Sequence, residues 1–596
     1  MTKLSDYIFK FLENKGIHHA FMLPGGGAMH LDDSLGKSSI EYICCLHEQA
    51  ASIAAEAYGQ HTNTPGLVLV TSGPGATNAI TGVTAGWIDS TPMIILSGQS
   101  KRTDLVGDKC VRQIGSQEVQ IVPMVIPITK YAVQILEPKE IRYHLEKAWH
   151  EATTGRPGPV WLDIPLDVQA VMIDEDTLRG YLPEGEAEVS VKEEVKQVIE
   201  LLKEAKKPLI LAGNGIKLAG ATNLLYDLLD ELMLPVETTW KTIDMFDENE
   251  KVYVGHPGIM GDRGANFILQ EADLLLSIGC RLDTSVTAFN DRNFGKNAKK
   301  IIVDIDANEI RRMDINKEVA LVCDAKVFLQ ELVKQVKKNV KDFYYMNKKD
   351  EWGKWLAYGK ELRKKYPVIL QEHAKIEGYV SAYYFIDQLC DLLKADDIIV
   401  PESSGGAGEI TYQAFRLKKG QKMKNAAGLG SMGFGIPYVI GSCIANNRKR
   451  TILINGDGAF QLNIQELETI HRLKLPVKIF IWNNNGYASI RAMQRNNFNK
   501  HYVASEENSG LTMPDIRKVA AAYGFDVYRI QNNKELDNML PVLMKDNKPL
   551  LCELMVLPEE TVSPRVKAIV GENGKMESGP LEKMWPYLED NDLYLS

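Results

Sequence analysis

Two strand-like runs in the last third of the chain end in residues able to hold a metal ion. Thr451-Ile452-Leu453-Ile454 leads into Asn455-Gly456-Asp457-Gly458, and Val477–Ile481 leads into Asn483-Asn484-Asn485-Gly486. Twenty-seven residues separate Asp457 from Asn484, and a helical pattern with Ile464, Leu467 and Ile470 apolar lies between them. Both therefore stand at the carboxyl ends of strands, where open parallel sheets bind ligands. A hard divalent cation takes oxygens from a carboxylate, an amide and backbone carbonyls, and phosphate oxygens complete its octahedron. Glycines let the backbone approach phosphates closely, and the helix start after Asp457 favours an anion. Gly-Asp-Gly alone is a common turn. Paired with an Asn-rich strand end at this spacing, it points to a diphosphate-bound Mg²⁺.

Three other segments carry residues with chemical potential. A strand over Tyr42–Leu46 leads to His47-Glu48-Gln49-Ala50-Ala51 at the start of an Ala-rich helix. Alone, Glu48 reads as a first-turn acid complementing the helix dipole. Asn425-Ala426-Ala427-Gly428-Leu429-Gly430-Ser431-Met432-Gly433 is a glycine-rich loop. Gly25-Gly26-Gly27-Ala28-Met29-His30 is a second glycine-rich turn, with a histidine directly after it.

The elements that must position these residues fall into three blocks, each alternating short apolar runs with helical patterns, as parallel α/β sheets do. At 596 residues the chain exceeds one core, and two to four domains are expected. The first block, 1–175, holds strands at Ala20–Leu23, Gly66–Val70, Met93–Leu96 and Val160–Leu162. A charged linker runs from about Asp174 to Val191. The second block, 192–335, opens with a helix over Glu193–Ala205 and continues with strands at Pro208–Leu211, Leu274–Ile278 and Ile301–Val303. The Lys- and aromatic-rich stretch Lys334–Lys365 reads as a solvated helical connector. The third block, 370–560, contains Ile398–Val400 and the two strands described above, and 561–596 forms a tail expected to fold over a site. The fold class is α/β, in three domains, each with a central, mostly parallel sheet flanked by helices.

Composition bounds the partners. The hydrophobic fraction of 45% and charged fraction of 25% are those of a soluble globular protein. A net charge of −9 argues against nucleic acid as the main partner. The run Met1–Lys10 has no apolar signal-peptide core, and no segment is long and apolar enough to span a bilayer. The eight cysteines lack zinc-like or disulfide-framework spacing, so a cytoplasmic protein with reduced thiols is expected.

The Asp457–Asn484 pairing resembles the thiamine-diphosphate motif, and the chain from Leu4 to about Leu588 resembles the acetohydroxyacid (acetolactate) synthase family. The resemblance implies a pyrimidine-binding domain, a central Rossmann-like domain and a pyrophosphate-binding domain. It implies Asp457, Asn484 and the Gly486 carbonyl as Mg²⁺ ligands. Gly25, Gly26, Ser404, Gly405, Gly406, Ala407, Gly456, Gly458, Ala459 and Tyr487 would line the cofactor. Glu48 would face N1′ of the aminopyrimidine and favour the imino tautomer that removes the thiazolium C2 proton. The Gly430 carbonyl would accept from the 4′-amino group, and Met432 would wedge between the cofactor rings. Gln117 would lie near the reacting carbon, and Lys130 and Arg281 match substrate-side positions. Catalytic glutamate and metal ligands belong to different subunits in this family, so a homodimer or homotetramer with interfacial sites is implied. Gly213-Asn214-Gly215 and Val303-Asp304-Ile305-Asp306 resemble the part that holds FAD as a structural passenger in some members and has lost it in others.

Departures from the family's pattern bear on the acceptor. Ser116-Gln117-Glu118 stands where branched-chain synthases carry Phe-Gln-Glu, and Met493 stands where they carry an acceptor-selecting Trp. His30 is a further difference, and a candidate for proton handling or acceptor binding. His18-His19 lies before the first strand, unlike the His pair of pyruvate decarboxylases. The expected function is decarboxylation of pyruvate and transfer of the two-carbon unit to a carbonyl acceptor, giving 2-acetolactate when that acceptor is a second pyruvate. Alternatives are transfer to a keto-sugar or aldehyde, a decarboxylase or carboligase using another 2-keto acid, and a non-catalytic nucleotide-binding module.

Overall fold

The computed structural model of the protein describes residues 1–183, 185, 190–570 and 576–589. Three parallel sheets form three domains, and all three use one pattern of strand order. In the first sheet the order is Glu41–Cys44, His19–Met22, Gly66–Val70, Met93–Gln99, Pro159–Pro165, Tyr131–Gln134. In the third it is Lys422–Met423, Ile398–Pro401, Thr451–Gly456, Val477–Asn483, Leu550–Met555, Asp526–Ile530. Numbered along the chain, both read 2-1-3-4-6-5, although the sequence shows no repeat. The five-stranded central sheet begins in the same way, with Val236–Thr238, Pro208–Ala212 and Leu274–Ile278. Lys299–Asp304 and Val319–Val322 complete it.

This order creates a switch point between the first and third strands of each sheet, where the connecting loops diverge and leave a crevice. The Gly25–Gly27 and Thr71–Gly75 loops leave that point in the first sheet. Ser403–Ala407 and Asp457–Gly458 leave it in the third, and Gly213–Gly215 and Gly279–Arg281 in the central one. The central strands are held by burial on both faces: every residue of Gly66–Val70, Leu274–Ile278 and Met93–Gln99 is buried.

Several expectations are revised. The stretch Lys334–Lys365 is not a solvated connector. Helices Ala325–Tyr345 and Lys348–Lys365, broken at Asn347 with φ 56°, pack on the central domain. Trp352 and Trp355 are buried and donate their ring N–H to the carbonyls of Ala205 and Pro208 at 3.1 and 3.0 Å. The described part of the tail starts on the third domain, where Gln413 Nε2 donates to Pro564 O and Tyr383 Oη to Ser563 O, and its 581–586 stretch lies on the central domain. Arg263 Nη1 and Nη2 donate to Met584 O and Pro586 O, and Asn266 Nδ2 donates to Leu581 O. Residues 571–575 and 590–596 of that tail, and 184 and 186–189 of the expected linker, lie outside the described residues. Among the described residues no helix is long and apolar enough to cross a membrane.

The first and third domains share one core. The helix Glu48–Thr62 lies against Gly435–Ala445 so closely that a Cβ on Gly441 would stand 2.0 Å from the Ala54 carbonyl oxygen. Glu466 Oε1 accepts from Leu46 N at 2.8 Å, and Asn463 Nδ2 donates to Gln49 Oε1 at 3.0 Å, just beside Glu48.

Candidate active site

The pyrophosphate half of the site is built around Asp457, the first residue after the strand Thr451–Gly456. Asp457 is 1% exposed, and backbone amides hold its carboxylate. Oδ1 accepts from Gly458 N at 2.9 Å, and Oδ2 accepts from Gly486 N at 2.9 Å and Asn484 N at 3.3 Å. Burial pushes this carboxyl up to about 6 against the pull of those amides. A divalent cation would reverse that direction. Asn484 Oδ1 is buried without a hydrogen-bond partner, an oxygen prepared for a ligand the chain does not supply. Carboxylate, orphaned amide oxygen and the turn at Gly486 (φ 123°) meet where two neighbouring strands end, an arrangement that fits an Mg²⁺ site.

Two residues that the sequence reading passed over complete this half. Arg491, buried on the helix Ala488–Asn497, donates to Asn484 O at 2.6 Å and Asn485 O at 3.0 Å and so fixes the loop's shape. Glu402, 1% exposed, accepts from Ser403 N at 2.9 Å and Gly435 N at 3.1 Å beneath the Ser404–Ala407 turn, and burial raises it to about 7. Neither has a local motif: Glu402 closes an apolar strand, and Arg491 reads as one more charged helical residue.

The remaining positions expected to line the cofactor lie at the same strand ends. Gly405 (φ 71°) starts the helix Gly406–Ala414, with Ala407 buried and Ser404 half-buried. A Cβ on Gly458 would stand 2.4 Å from the Tyr487 ring and 3.6 Å from Met432 Cε, so Met432, Tyr487 and the Asp457 turn form one wall. Gly430 has φ 63°, a left-handed conformation suited to glycine, and half-buried Met432 follows it. Gly456 and Ala459 flank Asp457, with Ala459 6% exposed.

The pyrimidine half gathers Glu48, Gly25, Gly26, Gln117 and His30 at the carboxyl ends of the first sheet's strands. His47 caps the helix by accepting from Gln49 N at 3.0 Å, so Glu48 occupies its first turn, 9% exposed. Asn78 Nδ2 donates to Glu48 Oε2 at 3.0 Å. Gly25 and Gly27 press against Thr71 and Ser72, with Gly27 N donating to Thr71 Oγ1 at 3.0 Å. Gln117 is exposed with φ 59°, and its carbonyl would lie 2.3 Å from a Cβ on Gly73. Glu118 builds the loop around it, accepting from the amides of Val106, Ile114 and Gly115. His30 is half-buried on the helix Met29–Lys37. Asp32, one turn start further along, holds Gly25 N at 3.2 Å and is raised by burial to about 6.

Three substrate-side residues stand apart from these clusters. Lys130 precedes the edge strand Tyr131–Gln134, at the sheet end opposite Glu48, and donates to Thr154 O at 2.7 Å. Arg281 donates to Ile88 O at 3.1 Å and Asp283 Oδ2 at 3.0 Å at the mouth of a cavity in the central domain. Met493 is 48% exposed on the Ala488–Asn497 helix. Among the described residues no hydrogen bond joins Glu48 to Asp457, Asn484 or Met432 of its own chain.

The Arg281 cavity has a volume of about 590 Å³ and is lined at the central switch point by Gly215, Cys280, Asp304 and Glu309. Gly213 and Gly215 serve a packing role here, since a Cβ on either would strike the Gly279 backbone at 2.1 and 2.7 Å.

Each domain matches a part of one enzyme class. The N-terminal TPP binding domain of thiamine pyrophosphate enzymes matches residues 2–123, the central domain 195–332, and the C-terminal TPP binding domain 404–554. The chain is 32% identical over 569 residues to a probable acetolactate synthase large subunit of Methanococcus aeolicus, covering 94% of this chain and 93% of that one. It is 33% identical over 574 residues to the Methanocaldococcus jannaschii counterpart, with the same coverage. The acetolactate synthase large subunit of Lactococcus lactis is 30% identical over 570 residues, 95% of each chain. The chain belongs to the acetolactate synthase large-subunit family of thiamine-pyrophosphate enzymes.

Proposed function

We propose that the protein decarboxylates pyruvate with thiamine diphosphate and Mg²⁺ and joins the two-carbon unit to a carbonyl acceptor. The observation that carries this reading is the Asp457 loop, with a caged carboxylate, an orphaned amide oxygen at Asn484 and a glycine turn on one strand-end crevice. Asp457, Asn484 and the Gly486 carbonyl would hold the cation, and Ser404–Ala407 with Gly456–Ala459 would cradle the diphosphate. Bound thiamine diphosphate supplies the electron sink for loss of carbon dioxide. Glu48, 9% exposed and held by Asn78, would exchange a proton with N1′ of the aminopyrimidine. The Gly430 carbonyl would accept from the amino group of the aminopyrimidine, and Met432 would pack against the cofactor. Gln117 and His30 border the space above the Glu48 side. With a second pyruvate as acceptor, one carbon–carbon bond forms, one carbon dioxide leaves, and the product is 2-acetolactate. We infer a cytoplasmic homo-oligomer with the site between two copies of the chain, as the family resemblance implies; that among the described residues no hydrogen bond joins Glu48 to Asp457, Asn484 or Met432 of its own chain is consistent with it.

A second acceptor class has a specific observation behind it. Ser116 and Met493 are both exposed, and each is smaller than the Phe or Trp of branched-chain synthases at its position. Smaller side chains there would suit a different acceptor, such as a keto-sugar or an aldehyde.

FAD, left open by the resemblance, has its candidate place in the central cavity. The nucleoside half suits it: the volume is in the range of small-molecule sites, and Asp304 lies at a strand end able to accept from ribose hydroxyls. The diphosphate half suits it less, because the lining cations are already paired. Arg156 meets Asp306 and Glu309, Arg281 meets Asp283, and Lys241 meets Asp89. No step is derived through a flavin.

Calorimetric titration of the purified protein with thiamine diphosphate tests the site. Binding that requires Mg²⁺ and is lost in Asp457→Asn supports it; equal binding by both proteins contradicts it. The visible spectrum of the same sample reports the flavin.

A further inference from the structure

The Asn425–Met432 loop is held from outside its own domain. The strand Val236–Thr238 of the central domain ends in Thr239, and a 3-10 turn over Trp240–Met245 follows. This turn reaches Asn425 directly through Lys241 and indirectly through Trp240. The Lys241 ammonium donates to Asn425 O at 2.5 Å, to Asp89 Oδ2 at 2.7 Å and to Gln60 Oε1 at 3.1 Å. Trp240 stacks on Tyr412 with ring centroids 5.2 Å apart and an interplanar angle of 12°. Tyr412 in turn donates to Asn425 Oδ1 at 3.1 Å. The clasp is reciprocal, since Lys424 Nζ donates back to Lys241 O at 3.1 Å.

Electrostatics explain why a lysine stands there. Asp89 is the last residue of the helix Pro74–Asp89, where the helix dipole disfavours a carboxylate. Its side chain is 4% exposed and abuts the cofactor loop, with Oδ1 2.3 Å from where a Cβ on Gly428 would be. A buried carboxylate at that helix end needs a cation, and Lys241 supplies it from another domain. The loop is thereby fixed at both main-chain and side-chain atoms of Asn425, five residues before Gly430. The helix that ends at Asp89 also carries Asn78, the partner of Glu48.

We propose that Lys241 is a positioning residue for the reaction: through Asn425 and Asp89 it sets the Asn425–Met432 loop so that Gly430 and Met432 meet the aminopyrimidine correctly. This inference rests on the reading of that loop as the cofactor loop. The side-chain contacts of Lys241 are to Asn425, Asp89 and Gln60, so its role would be exerted through them.

The test compares Lys241→Met, Lys241→Arg and the double variant Lys241→Met/Asp89→Asn with the wild type. Thermal midpoint, thiamine-diphosphate binding, and kcat and KM for pyruvate at saturating cofactor are measured for each. Lys241→Met leaves Asp89 buried and unpaired, so its thermal midpoint should fall; Asp89→Asn should restore that midpoint in the double variant. The expected result is a kcat at least tenfold below wild type in both Met-containing proteins, with pyruvate KM within about twofold, and partial recovery in Lys241→Arg. Recovery of kcat together with the midpoint in the double variant would reduce Lys241 to a structural pin and overturn the proposal, as would a kcat within twofold of wild type in Lys241→Met. Should Lys241→Met not fold, the double variant decides alone. Failure of the wild type to bind thiamine diphosphate is a different outcome, and overturns the cofactor reading beneath the proposal.

Discussion

Asn78 and Glu48 stand on two different helices of the first domain and meet through a 3.0 Å hydrogen bond from Nδ2 to Oε2. The bond fixes which carboxylate oxygen remains to face a ligand. Gly75, one turn before Asn78, leaves room at Oε1, since a Cβ there would lie 3.4 Å from it. Removing the orienting donor should therefore weaken catalysis without removing the acid. Asn78→Ala is expected to lower kcat about tenfold, in line with loss of a hydrogen bond to a charged group. Glu48→Gln should lose about 10²–10⁴-fold as a proton-transfer group is removed. Steady-state kinetics on both variants checks the order, and an Asn78→Ala loss equal to that of Glu48→Gln would contradict it.

Arg491 shapes the proposed Mg²⁺ loop through the Asn484 and Asn485 carbonyls. Lysine keeps the charge and loses the planar fork. Arg491→Lys is expected to raise the Mg²⁺ concentration for half-maximal activity about tenfold, while kcat at saturating Mg²⁺ changes little. A Mg²⁺ titration of activity measures this, and an unchanged midpoint would remove Arg491 from the metal loop's support.

Glu56 gives a pH dependence of stability. It is fully buried, Oε1 accepts from Gln60 Nε2 at 2.5 Å and Thr91 Oγ1 at 2.9 Å, and Oε2 has no partner. Burial pushes its carboxyl up to about 7, Asp89 adds to the rise, and Lys241 opposes it. The folded chain therefore holds this proton more tightly than the unfolded chain, where a glutamate titrates near about 4.3. The stability so contributed is complete below about 4.3 and is lost as pH rises through 7. Glu56→Gln should flatten that decline and leave the variant more stable than wild type above pH 7, by on the order of 1–3 kcal/mol. Chemical denaturation at pH 5 and pH 8 measures the difference. Equal slopes in both proteins would place the titration elsewhere.

Gly441 marks the seam between the first and third domains. With the Ala54 carbonyl 2.0 Å from its Cβ position, no flexible side chain can give way. Gly441→Ala is expected to destabilise the protein by roughly 1–3 kcal/mol or more, as overpacking does. A thermal midpoint within error of wild type would show that the seam has slack.

Much of this arrangement is legible in the residues themselves. Asp457, Asn484 and their glycines stand out as a proposed strand-end anion and metal site because that chemistry restricts residue type. The central strands are equally plain, since burial on both faces demands continuous apolar runs such as Gly66–Val70. Edge strands hide: Tyr131–Gln134 is half-buried throughout and Asp526–Ile530 alternates with polar residues, so neither shows a run. Val236–Thr238 is three residues long, below what periodicity can register. The supporting residues hide for another reason. Asn78 lies 30 residues from Glu48, and Lys241 lies 184 from Asn425. Nothing in the local sequence of Asn78 or Lys241 encodes a contact made only when distant elements pack, within one domain for Asn78 and between domains for Lys241.

Turnover of pyruvate by the purified protein with thiamine diphosphate and Mg²⁺, assaying carbon dioxide and 2-acetolactate together, tests the central claim most directly. The expected result is formation of carbon dioxide with a carboligation product, either 2-acetolactate or the product of an added carbonyl acceptor, and loss of both in Glu48→Gln. No release of carbon dioxide from pyruvate under any acceptor condition would contradict it.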